Sequence, residues 1–203
     1  MAIKVANNQS LTAITSIPAS ITGTGSAMTL LETQTASGSA TLSFTSDIDD
    51  TYDEYVFKFY DIHPSSDSNE FQVNFSIDSG SNYNVTKTST CFESYHKEDG
   101  TNGTLTYASS DDLAQSTGFQ PITRSIGSDN DQSASGTLIL YAPSSTTFVK
   151  HFIATTNAYI YSDYTFNEFV AGYCNTTSAV NAVQFKMASN NIDAGVIKLY
   201  GIS

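Results

Sequence analysis

The side chains of this chain whose types could do chemistry are three histidines, two cysteines, a few carboxylate clusters and a crowd of tyrosines. His63, His96 and His151 are far apart in sequence, and no Gly-x-Ser-x-Gly elbow accompanies them. A Ser-His-Asp mechanism needs a nucleophile held beside its base, so none of the three reads as catalytic. The carboxylate clusters are Asp47-Ile48-Asp49-Asp50, Asp53-Glu54, Asp111-Asp112 and Asp129-Asn130-Asp131. Glycoside hydrolysis needs two carboxyl groups facing a sugar, usually beside aromatic platforms. The chain has no Trp, and these clusters sit in loop-like sequence, where carboxylates are ordinarily just solvated. Asp129-Asn130-Asp131 offers the oxygen ligands that calcium takes, but lacks the Gly and distal Glu of an EF-hand loop. Cys91 and Cys174 lie 83 positions apart in aromatic, strand-like contexts. Two separated thiols make no zinc site of their own; they read as small buried hydrophobes, with a disulfide as the alternative. Tyr52, Tyr55 and Tyr60, then Tyr159, Tyr161, Tyr164 and Tyr173, are apolar in body and polar at the tip. Such residues stack on sugars, build interfaces or line the rim of a core. The expectation is therefore no catalytic residue, no metal and no cofactor.

The elements that would position these groups have a period of 2. Leu42 and Phe44, then Tyr55, Phe57 and Phe59, then Phe71, Val73, Phe75 and Ile77, then Val183, Phe185 and Met187 alternate with mostly polar neighbours. Successive strand side chains point to opposite faces, so these are half-buried strands. Further runs at 28–33, 83–95, 137–141, 148–155, 164–174 and 196–202 bring the expected number to about ten. Ile77-Asp78-Ser79-Gly80-Ser81-Asn82-Tyr83 reads as a hairpin turn with a glycine free to take positive φ. His63-Pro64 and Ala142-Pro143 open polar loops. No segment of 12 residues has a 3.6 period; the nearest approach to a helix is one short turn in 109–117. The stretch 96–135 loses the alternation and reads as a long surface loop with a small hairpin around Leu105 and Tyr107. It is also the expected contact surface, since long loops on rigid scaffolds tend to carry binding.

Composition narrows the class. The chain has 203 residues, 8 Lys+Arg against 20 Asp+Glu and a formal net charge of −12, yet only 14% of its residues are charged. Much of its polarity comes from 29 Ser and 26 Thr. Arg124 is the single arginine, which argues against nucleic-acid binding, where phosphate must be neutralised by a cationic face. No apolar run is long enough for a membrane-spanning helix. The N-terminus has one lysine followed by Asn and Gln rather than an apolar core, so it does not read as a secretory signal, and synthesis in a cytoplasm is expected. Short strands with acidic, Ser/Thr-rich loops and no helix predict an all-β fold: an antiparallel β-sandwich, jelly-roll-like, over 28–203. Residues 1–27 carry aliphatic side chains spaced through Asn, Ser, Thr and Ala, with no aromatic, and read as an extended N-terminal arm. Ile3, Val5, Leu11, Ile14 and Ile17 are its expected attachment residues.

Two stretches carry a resemblance. One comprises Leu31-Glu32-Thr33-Gln34-Thr35-Ala36-Ser37-Gly38-Ser39-Ala40, then Phe44-Thr45, then Tyr52-Asp53-Glu54-Tyr55-Val56-Phe57. The other is the ending, Ile192-Asp193-Ala194-Gly195-Val196-Ile197-Lys198-Leu199-Tyr200-Gly201-Ile202. Together, and with the turn at 78–83, they resemble small structural proteins of tailed bacteriophages, common among marine phages that infect cyanobacteria and related hosts. The resemblance covers about 28–202 and brings no catalytic residues with it. It implies a non-enzymatic virion protein, a capsid decoration or fibre-type appendage, docked to other virion proteins through its arm. Such proteins are usually symmetric homo-oligomers, often trimers. The alternative expectation is a receptor-binding sandwich that holds host surface glycan through its tyrosines and the 96–135 segment. A β-scaffold glycan hydrolase is the third and weakest reading.

Overall fold

The structure is a computed structural model, and it describes residues 28–203. The expected arm, with Ile3, Val5, Leu11, Ile14 and Ile17, lies outside the described residues. Within them every regular element is a strand: β1 (Thr29–Ser39), β2 (Leu42–Phe44), β3 (Glu54–Pro64), β4 (Asn69–Ser76), β5 (Lys87–Lys97), β6 (Gly103–Tyr107), β7 (Gln120–Ile126), β8 (Ala134–Tyr141), β9 (Lys150–Ile160), β10 (Tyr164–Cys174), β11 (Ala182–Met187) and β12 (Ile192–Ile202). All pairings are antiparallel. Eight strands form one sheet in the order β1-β12-β3-β8-β9-β10-β5-β6, and β2-β11-β4-β7 form the other. The two meet at a single pair, Ile126 of β7 opposite Ile160 of β9, so the sandwich is nearly closed along that side. The expected all-β, jelly-roll-like antiparallel sandwich is what forms.

The core follows from the alternation. Tyr55, Phe57 and Phe59 of β3 face Phe44, Phe71, Phe75 and Phe185 of the smaller sheet, all essentially without exposure. Phe185 is the hub: its ring lies 5.2 Å from those of Phe57 and Phe59, 6.1 Å from Phe44, and stacks on Phe71 at 5.6 Å. Such pairs contribute about 0.5–1.5 kcal/mol each beyond their burial. The Tyr55 ring joins this core while its hydroxyl reaches Asp49, donating to the Oδ1 at 3.0 Å. Burial pushes that phenol up to about 12.

The strand number needs correction, from about ten to twelve. The two extra strands, β6 and β7, both lie in the stretch expected to be mostly loop. Every residue of β6 is exposed, so it has no buried face to impose alternation. It is an edge strand held by β5 alone, and it confirms the small hairpin around Leu105 and Tyr107. β7 hides for the opposite reason: Gln120, Pro121, Ile122 and Thr123 are all buried, and its pairing with β4 is irregular. The 109–117 segment makes a turn closed by Asp111 N–H to the Ala108 carbonyl, not a helix. Gly80 does take positive φ, at 84°. The turn it makes is not a hairpin, however, because β4 and β5 belong to different sheets. Ile77, expected inward, falls just past the end of β4 and is exposed.

Candidate functional site

The sequence points to loop carboxylates; the structure gathers carboxylates that the sequence scattered. On the inward face of the larger sheet, Glu93 of β5 sits directly across the ladder from Glu168 of β10, which in turn faces Thr156 of β9. Like charges opposite one another destabilise a sheet unless something neutralises them. That group is Arg124, reaching in from β7. The β4–β7 ladder explains how it does so. Asn69 pairs with Ile126 and Phe71 with Thr123, so three steps on β7 match two on β4. The extra residue makes a bulge at Arg124 and Ser125, and Ser125 adopts a φ of 57°. Bulges re-aim side chains, and here the guanidinium is turned toward the glutamates.

Arg124 places Nη2 2.6 Å from Glu93 Oε1, Nη1 3.3 Å from Asp111 Oδ2, and Nε 3.9 Å from Glu168 Oε1. Nη1 also donates to Ser110 Oγ at 3.2 Å. Its guanidinium carbon lies 5.2 Å from the centre of the Phe166 ring. Asp111 arrives from the turn after β6, so the Asp111-Asp112 pair is split. Asp111 is buried beside the arginine, while Asp112 accepts the Tyr107 hydroxyl at the surface. Cys91, two residues before Glu93 on the same face, closes the group: its Sγ and carboxylate oxygens of Asp111 and Glu168 all lie within 4.8 Å of one another.

One guanidinium does not satisfy three carboxylates. Glu93 Oε2, Asp111 Oδ2, both oxygens of Glu168 and the nearby Thr123 hydroxyl are buried without a hydrogen-bond partner. Glu168 responds most. Burial, reinforced by the charge on Asp111 and opposed by Arg124, pushes its carboxyl up to about 8. Glu93 also moves up, through burial, with Arg124 opposing. Burial raises the Cys91 thiol to about 12.

Outside this cluster, Arg124 forms part of the wall of an open cleft of about 260 Å³ shared with Tyr95, Asn102, Tyr161, Tyr164 and Phe166. Tyr95 stacks on Phe166 at 5.5 Å and meets Tyr164 edge-on at 5.6 Å. The cleft therefore joins two of the expected binding features, the tyrosines and the 96–135 segment.

A second polar row crosses the same inward face. Lys87 of β5, Cys174 of β10 and Lys150 of β9 are directly opposite one another, and all three are buried. Lys87 Nζ donates to Asn74 Oδ1 at 2.6 Å and to the Val85 carbonyl at 2.9 Å. Lys150 Nζ donates to the Phe148 and Thr176 carbonyls at 3.3 and 3.2 Å. Burial lowers Lys87 to about 8. Cys91 and Cys174 are both free. They stand four ladder rungs apart on neighbouring strands, on the order of 13 Å, which excludes the disulfide alternative.

The outward face of β5, β6, β9 and β10 carries an apolar patch that the sequence reading did not single out. Phe92 and Phe169 stack at 4.7 Å, Tyr107 lies across the ladder from Phe92, and Leu105 and Ile153 extend the patch. Leu105 is 69% exposed and Phe92 43%.

The histidines are dispersed. His63 Nδ1–H donates to the Gln132 carbonyl at 2.7 Å, while His96 and His151 are exposed. His63 shares a cleft with Asp61, Asn130, Asp131 and Asp193, which takes in part of the Asp129-Asn130-Asp131 cluster. The metal-capable side chains that converge among the described residues are Cys91, Asp111 and Glu168 instead. Sequence reasoning missed Glu93 and Glu168 because each stands alone among strand residues; their inward register was the only available sign. Comparison with family models, with curated proteins and with solved structures finds no match to this chain.

Proposed function

We propose that this chain is a non-enzymatic structural protein of a bacteriophage particle, a capsid decoration or fibre-type appendage that works by surface contact. The observation that carries the contact role is the exposed apolar patch of Phe92, Tyr107 and Leu105, with half-buried Phe169 stacked on Phe92, on the outer face of the larger sheet. Contiguous exposed apolar side chains rimmed by polar residues are the usual mark of a docking surface. The phage assignment is supported by the sequence resemblance alone. In this reading the partners are other virion proteins, the chain acts as a homo-oligomer in the assembled virion, and residues 1–27 supply a second attachment. The test is incorporation into particles of the full chain, of a chain lacking residues 2–27, and of Phe92→Ser/Tyr107→Ser. Either change should deplete the protein from purified particles while its far-ultraviolet circular dichroism stays that of a β protein. Undiminished incorporation of both would overturn the proposal.

A second reading rests on the Tyr95–Tyr161–Tyr164 cleft, whose rings and polar Asn102 and Arg124 suit a glycan. A glycan array with the purified chain, with Tyr161→Ala as control, separates the two. Saturable binding lost in the variant favours the receptor-binding module.

A further inference from the structure

We propose that Cys91, Asp111 and Glu168 form a buried site for one divalent transition-metal ion of borderline softness, with Zn²⁺ as the type. The inference is independent of the particle reading. Three observations carry it. The ligand atoms are of the right kinds and lie within 4.8 Å of one another. In a tetrahedral site with bonds of about 2.0–2.3 Å, neighbouring ligand atoms sit roughly 3.3–3.8 Å apart, so a contraction on the order of 1 Å completes it. Glu168, fully buried, has two oxygens that accept no well-formed hydrogen bond, with the Thr123 hydroxyl as a neighbouring donor. Arg124 does not supply what is missing: it holds Glu93 at 2.6 Å but stays 3.9 Å from Glu168.

The third observation is the concentration of unmet valence. Of the seven buried side-chain oxygens without a hydrogen bond among the described residues, five belong to Glu93, Asp111, Thr123 and Glu168, Asp111 Oδ2 having only its 3.3 Å ion pair to Arg124. Buried carboxylates are tolerated when paired or when they coordinate metal. The exchange balances in charge: one divalent ion enters, and the protons of the Cys91 thiol and the Glu168 carboxyl leave. Glu93 and Arg124 keep their ion pair beside the site. A single thiolate among carboxylates selects zinc-like ions over calcium and magnesium, which take oxygen donors. Arg124, which pairs with Asp111 and lies 3.9 Å from Glu168, also lines the open cleft beside the cluster.

The experiment titrates the purified full chain with Co²⁺ and follows the near-ultraviolet thiolate-to-cobalt charge-transfer band. The expected result is one Co²⁺ per chain with that band, displaced by one equivalent of Zn²⁺. Cys91→Ser should lose the band, and Cys174→Ser, at the other buried thiol, should keep it. Glu168→Gln, which conserves shape, should weaken Zn²⁺ binding roughly tenfold or more while leaving the circular dichroism unchanged. No thiolate band in the wild-type chain overturns the proposal by itself, whether or not the variants fold. So does a band that survives in Cys91→Ser.

Discussion

The two polar rows on the inward face of the larger sheet invite comparison. Lys87–Cys174–Lys150 and Glu93–Glu168–Thr156 cross the same strands, six residues apart along β5, roughly 20 Å. Both bury charge in an all-β core. The cationic row is satisfied: each lysine ammonium donates to at least two oxygens, three of the four being backbone carbonyls. The anionic row is not, even with the chain's single arginine brought to it. The difference lies in the backbone. A carbonyl has two lone pairs and can accept a lysine while keeping its ladder bond; an N–H has one proton, already committed to the ladder. A sheet can therefore solvate a buried cation from its own backbone, but it has little to offer a buried carboxylate. Carboxylates need imported donors, protons or a metal.

The largest effect expected from breaking this contrast is at Arg124. Arg124→Met leaves buried Glu93 and Asp111 beside Glu168 with no countercharge and should cost about 3–5 kcal/mol in urea unfolding at neutral pH. Part of that loss should return as the pH is lowered, because Glu93, which burial already moves up, then lacks the opposing Arg124 charge and takes a proton more readily. A variant as stable as wild type at neutral pH would mean the arginine is not what neutralises the cluster.

Next comes the pH profile, measured with metal chelated. Glu168 is raised from 4.5 to about 8 in the fold. Between those values the folded state keeps a proton that the unfolded state has lost, so stability falls as pH rises, by up to about 1.4 kcal/mol per pH unit. Burial lowers Lys87 from 10.5 to about 8. Between about 8 and 10.5 the unfolded chain binds the extra proton at this lysine, which raises stability with pH up to about 9; above that the two thiols, raised from 9.0 to about 12, lose protons only in the unfolded chain and oppose it. Together the two rows place a stability minimum near pH 8. Glu168→Gln should flatten the acid limb, and Lys87→Met the alkaline one.

A smaller change is expected from Lys87→Met at neutral pH. Asn74 Oδ1 keeps its bond from the Phe75 N–H at 2.9 Å, but the Val85 carbonyl loses the lysine. A loss of about 1–3 kcal/mol in thermal or urea unfolding follows, well below that for Arg124→Met. The smallest effect is chemical. Both thiols are fully buried and pushed up to about 12, so an aromatic disulfide reagent should label neither in the native chain and both after unfolding.

How much of this was legible in the sequence differs by element. Phe71-x-Val73-x-Phe75 and Val183-x-Phe185-x-Met187 announce strands because each has one wet face and one dry face. β6 has two wet faces and β7 is buried on both, so neither leaves an alternating trace. The carboxylate clusters that stood out were conspicuous because their members are adjacent, which is what turns and loops favour. Glu93 and Glu168 are separated by 75 positions, and only the β5–β10 register makes them neighbours.

The sequence by itself determined the class of the molecule. Over 28–203 its period of 2, aromatic content and polar turns leave no helix to form and require an antiparallel sandwich with a Phe-rich core. Tertiary structure alone decided which charges meet. Cross-strand register, set by pairing partners far away in the chain, put two glutamates on one rung. A bulge of one residue in β7 then turned the single arginine toward them. Such juxtapositions depend on three-dimensional distances that local periodicity does not encode.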